Sequence, residues 1–437
     1  MFATLSRCSV KALSELVSIP IQTGHTPSMK NPYYYYGDIK FIKTDNLRKN
    51  DIREPFTDNL SNLGNESIKR TQLKEGDIIT TIIGATYDII ARSCIVTKDL
   101  LPANINQNIV RIRTKDIPSG YICCYLNSCY GRMNLEYLAR QMEQVNLNCE
   151  EVGQVLIPLF DDEFHNTINK TYLNATNKRV ESRRKYKEAA DVLSEMFSMR
   201  NYEISEVNNA VIPFSKSYSY NRMDSEYYLP QYVNYIDIVK KACKEWDYIS
   251  NLCEITDDNF KPEDKTIYKY VELSNIGSFG DITGCTIAEG WELPSRARRK
   301  IAKGDVIVSS VEGSLDCCAI VTDEYDGALC SNGFYVVRST NITPESLLLL
   351  FKSIPVQKLL KKGCSGTILS AISREEFDKI PLPIIDKDIQ NILTDYITQS
   401  IMLREESITI LNEAEKAIVN KIEGTGVDSM NATGTGK

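Results

Sequence analysis

The stretch GDIITTIIG at residues 76–84 recurs in altered form as GDVIVSSVEG at residues 304–313. Upstream of these stretches, FIKTDNL (41–47) matches YVELSNI (270–276). The two matches lie 228 and 229 residues apart. This near-constant spacing indicates that one segment of the chain is a copy of another.

Two further matches lie downstream. NQNIVRIR (106–113) aligns with SNGFYVVR (331–338), and residues 146–160 align with residues 371–385. Both pairs are 225 residues apart, and loops of different length after Gly84 and Gly313 account for the change in spacing. Four blocks in one order predict a duplication and argue against chance similarity.

Each copy has the same succession of elements. A Gly-Asp turn opens a β-branched strand, a Gly-containing loop follows, and a second apolar strand comes next. A helical stretch is predicted at residues 121–134 and 344–361. A short strand containing proline then closes each copy, at residues 155–159 and 380–384. The class is therefore mixed α and β, of the α+β type.

A long helix follows each copy. Residues 386–423 lack proline and place apolar side chains at spacings of three and four, and residues 162–199 carry a weaker stripe of the same kind. We expect the two helices to pack as an antiparallel coiled coil, in preference to each helix capping only its own domain. The segment from Gly424 to Lys437 is rich in Gly, Ser, Thr and Asn, and is predicted to be a flexible tail.

Composition excludes several classes of protein. The 437 residues carry a net charge of −7, which argues against a protein that coats nucleic acid by bulk charge. Only two histidines occur, so zinc hydrolases and His-based triads are improbable. The 13 cysteines are scattered without a Cys-x-x-Cys pair, which favours reduced thiols in a cytoplasmic protein. No apolar run is long enough to span a membrane, so we expect a soluble chain.

The sequence offers no convincing catalytic motif, metal site or cofactor site. NPYY (31–34) is similar to the base-holding loop of adenine methyltransferases, but lacks its second proline and a preceding Gly-rich turn. The terminal GTGK (434–437) imitates a phosphate-binding loop without the helix that must follow it. The features that remain are suited to binding.

Two features favour nucleic acid as the ligand. The run Tyr33 to Tyr36 is followed by Lys40 and Lys43, and aromatic faces beside cations can stack on bases, although tyrosines that alternate into a strand core explain the run equally well. The second copy carries five cations within eight residues, Arg296, Arg298, Arg299, Lys300 and Lys303. The first copy carries Lys69, Arg70 and Lys74 at the corresponding place. Two basic runs before the same Gly-Asp turn favour a phosphate-contacting loop over a solvated face.

The duplicated Gly-Asp stretches, the opening TGHTPS (23–28) and the closing IPLPII (380–385) with Gln390 together resemble the specificity subunit of type I restriction–modification systems. The resemblance covers nearly the whole chain. The second opening departs from the family pattern, with DDNF (257–260) at the expected place, and the usual Glu-Gln before the second helix is Asp-Ile-Gln (388–390).

This resemblance implies two target-recognition domains, each recognising one half of a split DNA sequence and held apart by the antiparallel helices. It implies a subunit without catalytic activity or cofactor, whose partners are double-stranded DNA, two modification subunits that methylate adenine, and restriction subunits. The implied organisation, listed in chain order, is a first target-recognition domain (1–160), a spacer helix (161–205), a second target-recognition domain (206–385), a second spacer helix (386–423) and the tail (424–437).

On this interpretation the DNA side of the first domain carries Tyr33, Tyr35, Lys43, Lys69 and Arg70. The DNA side of the second carries Arg296, Arg298, Arg299 and Lys300. Two alternatives stay open. One is a specificity subunit whose partner fuses methyltransferase and nuclease in a single chain, and the other is a duplicated scaffold that binds protein.

Overall fold

The computed structural model describes Leu5 and residues 7–54, 56–87, 89–141, 144–199, 209–220, 222–256, 258–366 and 370–424. The predicted tail after Gly424, the GTGK motif and Asp257 of the second opening lie outside these residues. The chain forms two compact units, one of Met1–Val180 with Leu403–Lys437 and the other of Glu181–Met402.

The first unit contains strands, short helices and part of the long helices. Its strands are β1 (Ser9–Ala12), β2 (Gln22–Thr23), β3 (Tyr35–Ile42), β4 (Leu47–Arg48), β5 (Asp51–Ile52), β6 (Ile78–Thr81), β7 (Ile83–Gly84), β8 (Ser93–Ile95), β9 (Ala103–Ile105), β10 (Ile109–Ile112), β11 (Arg140–Gln141), β12 (Val145–Asn146) and β13 (Leu156–Leu159). Its short helices are α1 (Asn62–Ser67), α2 (Ser119–Asn127), α3 (Cys129–Leu138) and α4 (Cys149–Gly153). The first long helix, α5 (Asp162–Met196), begins in this unit.

A four-stranded antiparallel sheet, ordered β2-β10-β6-β8, is central to the first unit. All four residues of β6 are buried, because one face of the sheet is covered by α2 and the other by a second small core around Ile42, Leu47 and Ile105. The helical stretch predicted as continuous is broken at Ser128, whose hydroxyl accepts a hydrogen bond from Gly131 N and caps α3.

We call the small core and the elements around it lobe 1, which comprises β3, β4, β5, α1 and β9. Strand β3 pairs in parallel with β9, with Phe41 opposite Asn104. The hairpin β4–β5 pairs Leu47 with Ile52, and both side chains are buried in the small core. Lobe 1 is thus packed on the sheet by its own apolar residues.

The second unit repeats this arrangement. Its strands are β14 (Trp246–Tyr248), β15 (Glu254–Thr256), β16 (Ile267–Val271), β17 (Thr286–Glu289), β18 (Ala297–Lys300), β19 (Val306–Ser309), β20 (Cys318–Ile320), β21 (Leu329–Ser331), β22 (Phe334–Arg338), β23 (Cys364–Ser365), β24 (Ala371–Ile372) and β25 (Pro381–Pro383). Its helices are α6 (Phe214–Tyr220), α7 (Pro230–Lys241), α8 (Ile249–Leu252), α9 (Pro344–Lys352), α10 (Ile354–Gly363) and α11 (Arg374–Asp378), and the second long helix α12 (Lys387–Glu423) begins here.

The strand order β15-β22-β19-β20 matches that of the first unit, strand for strand. The parallel pair recurs too, since β16 pairs with β21 and Val271 lies opposite Cys330. We call β16, β17, β18 and β21 lobe 2, a four-stranded sheet ordered β17-β16-β21-β18. The predicted duplication and the α+β class are confirmed. Thr256, which precedes the second opening, lies opposite Val336 of β22, as Gln22, which precedes the first opening, lies opposite Arg111 of β10.

Each long helix contributes to the cores of both units. In the first unit, Lys178 of α5 hydrogen-bonds Glu406 of α12 at 2.5 Å, whereas Lys421 lies over the Phe164 ring, so the helices run antiparallel. In the second unit, the Ser182 hydroxyl donates to the Ser400 carbonyl at 2.7 Å. Buried apolar residues of both helices complete each core. The predicted antiparallel pair is confirmed, and the helices do more than cap their own domains.

No helix among the described residues is long and apolar enough to cross a membrane. The cysteines are free thiols, and burial raises the pKa of the Cys318 thiol to about 12. The described part of the chain brings together no group of three His, Cys, Asp or Glu side chains that could hold a metal ion.

Candidate nucleic-acid interface

In each unit, the Gly-Asp turn fixes the backbone of the few residues that directly precede it. Gly76 has a φ of +84° and Gly304 a φ of +83°, which favour glycine over residues with a side chain. The Asp77 carboxylate accepts a hydrogen bond from Lys74 N at 2.8 Å, and Asp305 accepts one from Ala302 N at 2.7 Å. Each basic run is therefore followed by a turn of the same geometry, which leads into the next strand of the central sheet.

The tyrosine run separates into exposed and anchored rings. Asn31 caps the short 3-10 turn at Pro32–Tyr34, and Tyr33 is 78% exposed. Tyr36 is 93% exposed and has a φ of +63°, so it projects from the start of β3. Tyr35 is half-buried; its hydroxyl donates to the Pro27 carbonyl at 2.5 Å, and burial raises its pKa. Tyr33 and Tyr36 are therefore available for stacking, whereas Tyr35 anchors the turn.

Helix α1 connects this turn to the first basic run. The Ser61 hydroxyl donates to the Tyr33 carbonyl at 2.6 Å, and Ser61 also caps α1. A 3-10 turn at Lys69–Thr71 follows α1 and leaves Lys69 and Arg70 exposed. Helix α1 thus connects the turn that carries Tyr33 to the turn that carries Lys69 and Arg70.

A buried arginine stabilises this part of the surface. Arg111 of β10 donates to the Arg70 carbonyl at 2.6 Å and to the Gln22 side chain at 3.0 Å. Burial lowers the pKa of its guanidinium, with the nearby Arg113 acting in the same direction. Sequence reasoning missed this role because Arg111 lies within a strand, where its partners cannot be inferred from spacing.

Lys43 differs from the other predicted cations of lobe 1. Its ammonium forms an ion pair with Asp58 and lies 5.9 Å from the centre of the Phe41 ring. Its charge is therefore already balanced within lobe 1, and any contact with phosphate would compete with Asp58.

The second basic run is a strand and not the predicted loop. Residues Ala297–Lys300 form β18, the edge strand that pairs with β21 in lobe 2, with a bulge between Ala297 and Arg299. The buried Ala297, opposite Ser331, draws this segment into the sheet. In the first unit the same alignment positions form a 3-10 turn, so the two runs share a place in the chain but not a conformation.

The four cations of this run that are predicted to face DNA have different surroundings. Arg296 forms an ion pair with Glu272 at 2.9 Å, and Arg298 donates to the Ser295 carbonyl at 2.6 Å. Lys300 is exposed and lies 6.0 Å from the centre of the Phe260 ring. Arg299 is half-buried, and its Nε and Nη1 atoms have no hydrogen-bond partner among the described residues. Both atoms are also inaccessible to solvent, so the guanidinium would have to move to reach an incoming acceptor.

Two exposed aromatic residues were not among the predicted site residues. Tyr36 belongs to the predicted tyrosine run, of which the sequence prediction names Tyr33 and Tyr35 as site residues. Trp291, one of two tryptophans, follows β17 and is 65% exposed, with its indole N–H donating to Glu289 at 2.7 Å. A tryptophan in the polar stretch GWELPS (290–295) is a signal that sequence analysis could have used.

Comparison with known proteins supports the resemblance predicted from the sequence. No family model matches the chain. The specificity subunit of the HindI type I restriction enzyme from Haemophilus influenzae is 30% identical to it over 119 residues, which is 26% of this chain and 26% of that protein. The match thus spans about a quarter of the curated relative. The chain is similar to type I specificity subunits, as its sequence motifs predict.

Solved structures of such subunits also match the chain. The S subunit of a type I restriction–modification system from M. genitalium matches with a TM-score of 0.40 and 10% identity, over 96% of both chains. The corresponding subunit from Thermoanaerobacter tengcongensis matches with a TM-score of 0.32 and 14% identity, over 96% of this chain and 97% of that one.

Proposed function

We propose that this chain is the specificity subunit of a type I restriction–modification system and recognises a bipartite sequence in double-stranded DNA. The observation that supports this most directly is the repeated unit: two copies with one strand order, each carrying a basic run beside the same turn. Each copy would recognise one half of the target. The similarity to the Haemophilus subunit supports the same assignment.

Within each copy, cations and aromatic rings would have separate tasks. Lys69 and Arg70 of the first copy, and Arg296 and Lys300 of the second, would contact phosphates and set the position of the protein on the duplex. Arg298 or Arg299 could donate to guanine in the major groove, since a guanidinium matches the O6 and N7 acceptors of that base. Tyr33 would pack against a base or sugar, with Tyr35 supporting it from beneath and Lys43 a lesser contributor.

The long helices would set the distance between the two half-sites. A rigid spacer fixes which base pairs two recognition elements can reach at once, so the helices would determine the number of unread base pairs. In domain terms, we propose target-recognition domains at residues 1–160 and 206–385 with spacer helices at 161–205 and 386–423. Residues 424–437 would be the tail.

Chemistry would come from partner proteins. Two modification subunits would methylate adenine in each half-site, restriction subunits would translocate and cut DNA, and this chain would have no catalytic activity. One structural match belongs to a study of complex assembly and conformational transition in a type I system. Partners with positive surfaces would also offset the net charge of −7, which alone opposes DNA binding.

Methylation mapping tests this proposal. Cells carrying this gene with its neighbouring modification gene are compared with cells carrying the modification gene alone, and methylated adenines are located across the genome. We expect a new split motif, with one modified adenine in each half, only when both genes are present. The motif gives both half-sites and their spacing directly.

The alternatives give other results. A stable complex of the two proteins without new methylation would reject the proposal and favour the protein-binding scaffold. A split motif produced with a single partner chain that also cuts DNA would identify the fused-partner system.

A further inference from the structure

A turn in lobe 1 reaches the two long helices. Lys49 and Asn50 join β4 to β5, and Asn50 has a φ of +58°, which asparagine tolerates better than most residues. The Asn50 backbone N–H donates to the Ser93 carbonyl of the central sheet at 3.0 Å. The side chain is buried, although Lys-Asn-Asp is a typical solvent-exposed turn sequence. The geometry of the turn therefore does not explain the burial of the Asn50 side chain.

The contacts of Asn50 explain its burial. Its Oδ1 accepts hydrogen bonds from Tyr172 of α5 at 2.9 Å and from Asn127 of α2 at 2.5 Å. Its Nδ2 donates to Glu415 of α12 at 3.3 Å, and Arg179 of α5 donates to its carbonyl. The turn thus bonds to both long helices through one residue.

Lys49 of the same turn contacts the same carboxyl group. Lys49 donates to Glu415 at 2.7 Å, and the side chain of Glu415 is only 12% exposed. A carboxylate so placed is held by its partners, and the loss of either contact would leave it unsatisfied. Lobe 1 is therefore attached to the two long helices as well as to the central sheet. Its contact with α12 joins residues 365 apart in the sequence.

The second unit has a turn at the equivalent position. The alignment that places residues 41–47 on 270–276 places Asn50 on Phe279. The next residue, Gly280, has a φ of +78°, and its carbonyl accepts a hydrogen bond from Ile320 of the central sheet at 3.1 Å. The Phe279 ring packs edge to face on Tyr186 of α5, with ring centres 5.2 Å apart. The turn again contacts a long helix, here through rings.

We propose that these two turns are positioning elements, which hold each lobe at a fixed angle to the long helices and so make recognition selective for one distance between half-sites. The inference rests on the proposed function. Its support is that both copies make the contact at the same alignment position, one by hydrogen bonds and an ion pair, the other by packed rings. Common descent explains why the contact lies at the same position in both copies. The change from hydrogen bonds and an ion pair to packed rings indicates that the contact itself is needed.

The scale of DNA makes such a contact consequential. Neighbouring base pairs are about 3.4 Å apart along the duplex, so a lobe that tilts by a few ångströms can reach a half-site displaced by one base pair. A lobe that contacts both the central sheet and the long helices cannot shift by that distance unless its contact with the helices breaks. The residues of the two turns act through the lobes and need not touch DNA.

The test measures spacer selectivity. Plasmids carry the mapped half-sites separated by the native number of base pairs, or by one more or one fewer, and methylation by the complete complex is quantified for each. Asn50→Gly keeps the backbone free to adopt positive φ but removes the side-chain bonds, and Phe279→Ala removes the ring contact. Asp38→Asn in lobe 1 and Ile287→Ala in lobe 2 are matched controls, since both residues are exposed.

We expect each turn variant to lower the preference for the native spacing by about tenfold, or about 1.4 kcal/mol, which is within the range for losing either one or two net hydrogen bonds or one aromatic pair. The half-site sequences and the controls should be unchanged. Glu415→Ala tests the first attachment independently should Asn50→Gly yield too little folded protein. Native spacer selectivity in folded turn variants would overturn this inference and leave the proposed function intact. A wild-type complex that methylates no bipartite site would reject the proposed function itself.

Discussion

Arg113 and Asp77 form a two-point ion pair in the first unit, with Arg113 Nε and Nη2 donating to the two carboxylate oxygens at 2.6 and 2.7 Å. The Asp77 side chain is 1% exposed, and it also fixes the turn through Lys74 N. Arg338 and Asp305 form the same pair in the second unit. The Gly-Asp signature therefore encodes a buried carboxylate with a dedicated arginine, at the place where each basic run ends.

Removal of one partner should be costly. We expect Arg113→Ala to lower the free energy of unfolding by about 3–5 kcal/mol, because it leaves a buried carboxylate without its counter-ion. Chemical denaturation of the full chain, monitored by circular dichroism, measures the change. Arg338→Ala should behave alike, whereas Lys241→Ala, a cation exposed on α7, should change little. A loss below about 1 kcal/mol for Arg113→Ala would contradict the role we assign to the pair.

The basic strand of lobe 2 should make a salt-dependent contribution to DNA binding. We expect Arg298→Ala with Arg299→Ala to weaken binding and to reduce the slope of log affinity against log salt by about 1, because one of the two arginines is assigned to guanine and only the other is left to contact a phosphate. Fluorescence anisotropy with a duplex carrying the mapped target measures both quantities. Lys241→Ala serves as the control of equal charge type. Unchanged affinity together with an unchanged salt slope would reject the assignment of this strand to the DNA side.

The exposed tyrosines of the first unit should contribute to affinity without contributing to stability. Tyr33→Ala and Tyr36→Ala should each weaken binding by about 0.5–1.5 kcal/mol, the range for loss of one aromatic packing contact. Tyr33→Phe should retain most of the affinity, because the ring and not the hydroxyl makes such a contact. Tyr137→Ala, at another exposed tyrosine of the same unit, is the control. Equal affinity for Tyr33→Ala and wild type would remove Tyr33 from the interface.

Much of this fold could be predicted because its signals are local. The apolar residues of β6 and the stripe of α12 give their periodicity directly, and the duplication doubles the evidence for each element. The contact between Asn50 and Glu415 could not be predicted, since it joins residues 365 apart and its turn has an ordinary polar sequence. The sequence predicts a loop for the basic run of lobe 2, because its five cations are not typical of a strand. Ala297 nevertheless pairs with Ser331 in the sheet.

Glu415 should give the chain a measurable pH dependence. Burial raises the pKa of its carboxyl above the ordinary value of 4.5, and the opposing effects of Lys49, Asn50 and Arg132 are smaller. A raised pKa means that the folded chain binds this proton more tightly than the unfolded chain. The contribution of Glu415 to stability is therefore fully present below about pH 4.5 and is lost as pH rises through the raised pKa.

The variant Glu415→Gln isolates this contribution, because its amide oxygen can still accept from Asn50 while its charge no longer titrates. We expect the free energy of unfolding of wild type, relative to this variant, to fall as pH rises above about 4.5 and to level off once the pH exceeds the raised pKa. Denaturation curves at each pH measure the difference, and Glu413→Gln, at an exposed position two residues away, is the matched control. If the difference instead rose with pH, the attraction of Lys49 for the carboxylate would outweigh its burial. The attachment of lobe 1 would then be strongest with Glu415 ionised.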